Sequence, residues 1–118
     1  MRKTFYLSTC DTCKRILKEV PCEKHTEVQD IKKLMYTPTE LDAMKAMVGT
    51  YEGLVNKRAR KYKEQDIKSQ NLDDEQFRDL ILSDYTFLKR PVIIYDTHIF
   101  VGNAKKDVAA AKAFFEGL

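Results

Sequence analysis

Lys3-Thr4-Phe5-Tyr6-Leu7-Ser8-Thr9-Cys10-Asp11-Thr12-Cys13-Lys14-Arg15-Ile16-Leu17 is the stretch that decides the fold. Its opening segment, Lys3 to Leu7, alternates loosely and carries Phe5, Tyr6 and Leu7, which suits a strand. Ser8 to Thr12 follow, rich in residues that cap helix starts. Cys13, Ile16, Leu17 and Val20 then fall at i, i+3, i+4 and i+7, one apolar helix face, and Pro21 stops the helix. A strand therefore runs into a helix with two cysteines, Cys10-Asp11-Thr12-Cys13, at the junction.

The same reading extends outward. His25 to Ile31 reads as a short second strand and its exit. Thr37-Pro38-Thr39-Glu40 marks a helix start, with Thr37 as cap and Pro38 as the first helical residue. Leu41, Met44, Met47 and Val48 form its expected buried stripe, and Gly49 ends it. Tyr51 to Val55 suits another short helix. Asp73 to Ser83 opens with acids at the positive helix end and carries Phe77, Leu80 and Ile81 on one face. After Arg90-Pro91, the β-branched run Val92-Ile93-Ile94-Tyr95 reads as a buried strand, Asp96-Thr97 as a two-residue turn, and His98 to Val101 as the returning strand. Gly102-Asn103 breaks it, and Lys105 to Phe115 forms a last helix with Val108, Ala111 and Phe115 inward. The order is β-α-β, a mainly helical stretch, then β-β-α. This is an α/β chain read as a single domain over 1–118, with a helical insertion at approximately 37–86.

Composition bounds the function. The 118 residues are 43% hydrophobic and 33% charged, an ordinary globular balance that argues against overall disorder. No apolar run approaches the ~20 residues of a membrane span, and the first residues lack the apolar segment of a secretory signal. A cytoplasmic protein without a membrane partner is expected. The net charge of +3 suits an anionic small molecule and is too small to argue for direct nucleic-acid binding. Three cysteines, an odd number, make a structural disulfide framework a poor reading.

A redox pair at a strand-to-helix junction has a chemical rationale. The attacking species is the thiolate. Cys10 lies just before the helix, where unpaired N–H groups favour an anion, and Lys14 and Arg15 add positive charge. Cys13, one turn inside, is placed to resolve a mixed disulfide on Cys10 and is the more buried sulfur. Cys10, Cys13, Cys22 and His25 also have a spacing that resembles a small zinc site. If Cys13 to Val20 is helical, however, Cys22 lies about 13 Å along the axis from Cys13, too far for bonds of about 2.3 Å to one ion. A third reading, unreactive cysteines in a small core, stays open, and for Cys22 it is the better one. His25 and His98 carry no motif.

Arg58, Arg60 and Arg90 present planar forks of donors suited to oxyanions, although most of Lys57–Lys63 reads as a solvated basic face. Arg90 precedes Pro91 at the mouth of the third strand. Only about 5–6% of X–Pro bonds are cis, so the bond reads as trans on local grounds.

Thr9-Cys10-Asp11-Thr12-Cys13-Lys14, Thr37-Pro38-Thr39-Glu40-Leu41, Leu54-Val55-Asn56-Lys57-Arg58 and Leu88-Lys89-Arg90-Pro91-Val92-Ile93 together resemble the arsenate reductase-like (ArsC) family, over essentially the whole chain. That family includes glutaredoxin-coupled arsenate reductases and Spx-type regulators that bind RNA polymerase. The resemblance implies a thioredoxin-like fold with a helical insertion, and a cis Arg90–Pro91 bond facing the active cysteine. It also implies Cys10 as nucleophile, with Cys13 and Arg90 completing the catalytic set and Arg58, Pro91, Thr12 and Lys14 on the substrate side. No bound cofactor or metal is expected. Glutathione with glutaredoxin is the implied reductant, an oxyanion or a disulfide the implied substrate, and a small-molecule thiol or oxyanion the implied partner. The sequence departs from the family's arsenate reductases in three places. Cys13 stands where they usually carry a serine-like residue, and looks more like the redox-switch pair of Spx-type members. Asn56 occupies one of their three arginine positions, with Arg58 two residues on. No arginine lies near Val101-Gly102-Asn103. The alternative function is an Spx-like redox switch that binds RNA polymerase.

Overall fold

The computed structural model describes residues 1–118. It divides into two compact units, Met1–Met35 with Arg90–Leu118, and Tyr36–Lys89.

The first unit is built on a four-stranded sheet in the order β2-β1-β3-β4. Strand β1 (Arg2–Tyr6) leads into helix α1 (Asp11–Glu19), which returns the chain to β2 (Glu27–Asp30), parallel to β1 with Lys3 opposite Glu27. A parallel pair needs such a crossover, and α1 supplies it. Strand β3 (Val92–Tyr95) runs antiparallel to β1, Thr4 opposite Ile93, and β4 (His98–Val101) antiparallel to β3, Tyr95 opposite His98. The link between them is the expected two-residue turn, in which Asp96 takes the left-handed conformation (φ 55°) that Asp tolerates better than most residues. Because β4 runs in the same direction as β1, α1 and the final helix α5 (Lys105–Glu116) leave the sheet at the same end.

Apolar periodicity decides how these helices pack. Ile16, Leu17 and Val20 from α1 and its exit meet Ala111 and Phe115 of α5 and Ile93 of β3 in one cluster, each at most 7% exposed. Tyr6, Tyr95, Phe100, Val108 and Phe114 close its margin. His25 stacks on Phe115 with ring centres 6.1 Å apart, and the exposed His98 lies against Phe114 at 4.4 Å. The second strand is shorter than the His25–Ile31 expectation; His25 and Thr26 instead bond back to the Cys22 carbonyl.

The second unit is helical. Helix α2 (Pro38–Val48) starts at Thr37, whose hydroxyl accepts from the Glu40 amide while the Glu40 carboxylate accepts from the Thr37 amide. This reciprocal pair satisfies two otherwise orphaned donors. Gly49, at φ 111°, ends the helix as expected. Leu41 and Met44 are fully buried, but Met47 is only half-buried and Val48 is exposed. The stripe narrows because the last turn of α2 leaves the core. Within the basic run 57–63, the short helix α3 (Arg60–Glu64) tucks Tyr62 inward at 7% exposure, so the run is not a wholly solvated face. Helix α4 (Asp74–Ser83) is capped by Asp73 and Gln76 and buries Phe77 and Ile81, while Leu80 is half-buried. No helix is long and apolar enough to cross a membrane.

Candidate active site

Cys10 is the N-cap of α1, with extended backbone angles. Its amide bonds to the Leu7 carbonyl at 3.0 Å and its carbonyl accepts from the Lys14 amide at 3.1 Å. The loop bearing it is pinned from the neighbouring strand: Asp30, the last residue of β2, accepts from the Ser8 amide at 3.2 Å, and the Ile31 amide donates to the Tyr6 carbonyl at 2.9 Å. Asp30 escaped the sequence reading, because nothing local signals a contact across 22 positions.

The two sulfurs differ in environment. Cys10 is partly exposed and Cys13 is fully buried, and both are free thiols. Partial burial alone would raise the Cys10 pKa. The Cys13 amide, the Cys13 thiol and the Arg90 guanidinium outweigh it and hold Cys10 below the ordinary thiol value. At Cys13 burial dominates and is reinforced by the charge on Cys10, so that its pKa is pushed up to about 12. The pair is therefore asymmetric: the exposed Cys10 thiol ionises more readily than an ordinary one and the buried Cys13 thiol less readily, the contrast that thiol exchange uses.

Arg90 and Pro91 reach this site from the other half of the unit. The Arg90–Pro91 bond is cis. The base-rate expectation of trans is overturned, and the expectation drawn from family resemblance holds. Pro91 is buried, and its carbonyl accepts from the Gly102 amide at 2.9 Å, tying the strand mouth to the break before α5. Thr12 lies half-buried in the first turn of α1 between the cysteines. Lys14 is exposed, 3.6 Å from the Asp11 carboxylate. Arg58 belongs to the second unit, exposed, with its amide on Asn56 Oδ1 at 3.1 Å. Cys10, Cys13 and Arg90 thus meet as expected, and Arg58 is placed only within its own unit. Cys22 is buried, and burial pushes its thiol up despite a hydrogen bond to Thr4. No group of three or more His, Cys, Asp or Glu side chains is arranged to hold a metal ion.

A β-α-β/β-β-α sheet, a half-exposed cysteine at the start of the first helix and a cis-proline opposite it define a thioredoxin-like thiol oxidoreductase class. Within that class the chain belongs to the ArsC family, whose pattern it matches over residues 5–111. Comparison with curated proteins gives no match. Solved structures are similar along their whole length. An ArsC-family-related protein from Bacteroides fragilis superposes with a TM-score of 0.77 at 20% identity, covering 95% of this chain and 98% of that one. An arsenate reductase (ArsC) related protein from Brucella melitensis gives 0.67 at 26% identity, covering 92% and 91%. An arsenate reductase from Vibrio cholerae gives 0.74 at 13% identity, covering 93% and 98%.

Proposed function

We propose that this protein is a thiol–disulfide oxidoreductase of the ArsC family that uses Cys10 as its nucleophile. The observation that carries the reading is the contrast within one pair: a partly exposed sulfur beside Arg90 that ionises more readily than an ordinary thiol, and a buried thiol next to it that ionises less readily. In the first step the Cys10 thiolate attacks one sulfur of a disulfide substrate. A Cys10–substrate disulfide forms, the substrate S–S bond breaks, and the departing thiolate takes a proton from solvent. Cys10 then carries no charge, so one of the influences raising the Cys13 pKa disappears. Cys13 loses its proton to solvent and attacks Cys10, expelling the second substrate thiolate. The substrate gains two electrons and the Cys10–Cys13 pair is oxidised. Two equivalents of a small thiol such as glutathione, or reduced glutaredoxin, return it to the dithiol, in a reducing compartment such as the cytoplasm.

Arg90 also offers a guanidinium fork to an oxyanion bound at the same sulfur. Arg58, Thr12, Lys14 and Pro91 are proposed on the substrate side by family resemblance. The test is the rate of iodoacetamide alkylation of Cys10 against pH. The expected midpoint lies below the ordinary cysteine value of about 8.5, and Cys10→Ser abolishes turnover of 2-hydroxyethyl disulfide. A midpoint at or above that value, or full turnover in Cys10→Ser, overturns the reading.

A further inference from the structure

The two cysteines share one piece of backbone. The Leu7 carbonyl accepts from the Cys10 amide at 3.0 Å. The Leu7 amide donates to the Cys13 sulfur, where it is the largest influence opposing burial. Leu7 follows the last residue of β1, and beyond it the chain is no longer held by the sheet. Its side chain is buried, but Ser8 and Cys10 are half-buried and Thr9 is exposed, so packing does little to fix this stretch. Asp30 does that work from the end of β2. Its Oδ1 accepts from the Ser8 amide and the Lys32 amide, each at 3.2 Å, and so ties the exits of two strands together. The Ile31 amide on the Tyr6 carbonyl, at 2.9 Å, closes the same bridge one residue back. Burial of Asp30 favours its neutral form, but the Ser8 hydroxyl and amide and the Lys32 amide outweigh it and hold the carboxyl below its ordinary value. The acceptor is therefore charged near neutral pH, and charged acceptors make the stronger hydrogen bonds.

We propose that Asp30 is a positioning residue for the resolving step: by holding the Ser8 amide it fixes the Leu7 peptide, whose N–H meets the Cys13 sulfur. The proposal rests on the oxidoreductase reading above and assigns a residue that prepares the second half of its reaction. In that half Cys13 gives its proton to solvent and attacks Cys10. The Cys10–Cys13 bond forms, the Cys10–substrate bond breaks, and the substrate thiolate leaves and takes a proton from solvent. Negative charge develops on a buried sulfur, and the Leu7 N–H is the donor waiting for it. A Leu7 peptide free to turn withdraws that donor. The first step has a different support, because Cys10 draws on the Cys13 amide and thiol and on Arg90 rather than on Leu7.

The experiment separates the two steps with 2-hydroxyethyl disulfide in a single turnover. Acid-quenched samples are weighed by mass spectrometry, giving the rate at which the mixed disulfide forms and the rate at which it resolves. Asp30→Ala removes the acceptor, and Asp30→Glu keeps the charge but moves the acceptor by one methylene. Each is expected to slow resolution about tenfold, the scale of one lost hydrogen bond to a charged sulfur, with formation unchanged within twofold. Asp30→Asn keeps an acceptor oxygen in place and is expected to resolve within about threefold of the unaltered protein. Asp73→Ala, which removes the acceptor of the Gln76 amide in the second unit, controls for general loosening and is expected to alter neither rate. Unchanged resolution in the Ala and Glu variants, equal slowing of both steps, or an Asn variant as slow as Ala overturns the proposal. If the unaltered protein forms no mixed disulfide, or forms one that never resolves, the oxidoreductase reading fails instead. Amide hydrogen exchange then decides the role of Asp30 alone: Leu7, Ser8 and Cys10 are expected to exchange faster in Asp30→Ala, and unchanged exchange at all three overturns it.

Discussion

The Cys10 sulfur feels opposing influences. Burial favours the neutral thiol; the Cys13 amide and thiol and the Arg90 guanidinium favour the anion, and together they prevail. Arg90 is the one full positive charge among them. Arg90→Gln keeps a hydrogen-bond donor and removes the charge. The alkylation midpoint of Cys10 is expected to move upward toward the ordinary cysteine value, and the reaction near neutral pH to slow accordingly. An unmoved midpoint would show that the Cys13 amide and thiol suffice without the Arg90 charge. At this scale the sequence was partly legible. The Cys10/Cys13 spacing announces the site because it is local, whereas the cap expected among Ser8 to Thr12 is replaced by Cys10, which makes no side-chain cap bond. The cis bond is not local: a backbone isomer selected by tertiary surroundings leaves no mark on Arg90-Pro91 itself, and only family resemblance predicted it. Asp30 was invisible for the same reason, since its contact with the Ser8 amide exists only after β2 has paired with β1.

Among the elements, caps were easier to anticipate than buried faces. Thr37-Pro38-Thr39-Glu40 forms its capping pair as read, because both partners lie within one turn. The burial of α2 was misjudged at Met47 and Val48, since periodicity marks an apolar face without saying how far along the helix the core extends. Another feature of α2 carries a prediction. Asp42 accepts from Arg78 of α4 at 2.8 and 3.2 Å and from the Tyr51 hydroxyl at 2.5 Å. The Arg78 hydrogen bonds, followed by that of Tyr51, lower its pKa from the ordinary 3.8 to about 2. A carboxyl more acidic in the folded than in the unfolded state binds its proton preferentially on unfolding. Its stabilising contribution is therefore complete above pH 3.8 and is lost as the pH falls through about 2. Thermal melts across pH 6 to 2 are expected to show the midpoint falling at the acid end, and Asp42→Asn to show a shallower fall. Equal slopes for the two proteins would assign acid sensitivity to other carboxylates.

For the molecule as a whole, the order of strands and helices was readable because each element has a strong local period or a sharp punctuation mark: Pro21, Gly49, the Asp96-Thr97 turn, Gly102. Strand pairing then followed from connection lengths, a helix-length crossover for β1–β2 and a two-residue turn for β3–β4. The 3-10 turn at Glu52–Leu54 falls inside the short helix expected over Tyr51 to Val55, but those at Ile67–Gln70 and Tyr85–Phe87 and the short α3 leave no such mark, because a single turn has too few residues to establish a period.

One feature of the folded chain turns its sulfur into a gauge. Cys13 and Cys22 are each 0% exposed, while Cys10 is open to solvent. A thiol-alkylating reagent, which leaves no disulfide on Cys10 for Cys13 to resolve, should therefore modify one thiol of the native dithiol form quickly and two more only as molecules open. The slow amplitude becomes a clock for unfolding that needs no tryptophan, which the sequence lacks. Three rapid equivalents under native conditions would mean that the interior is far more permeable than its packing implies.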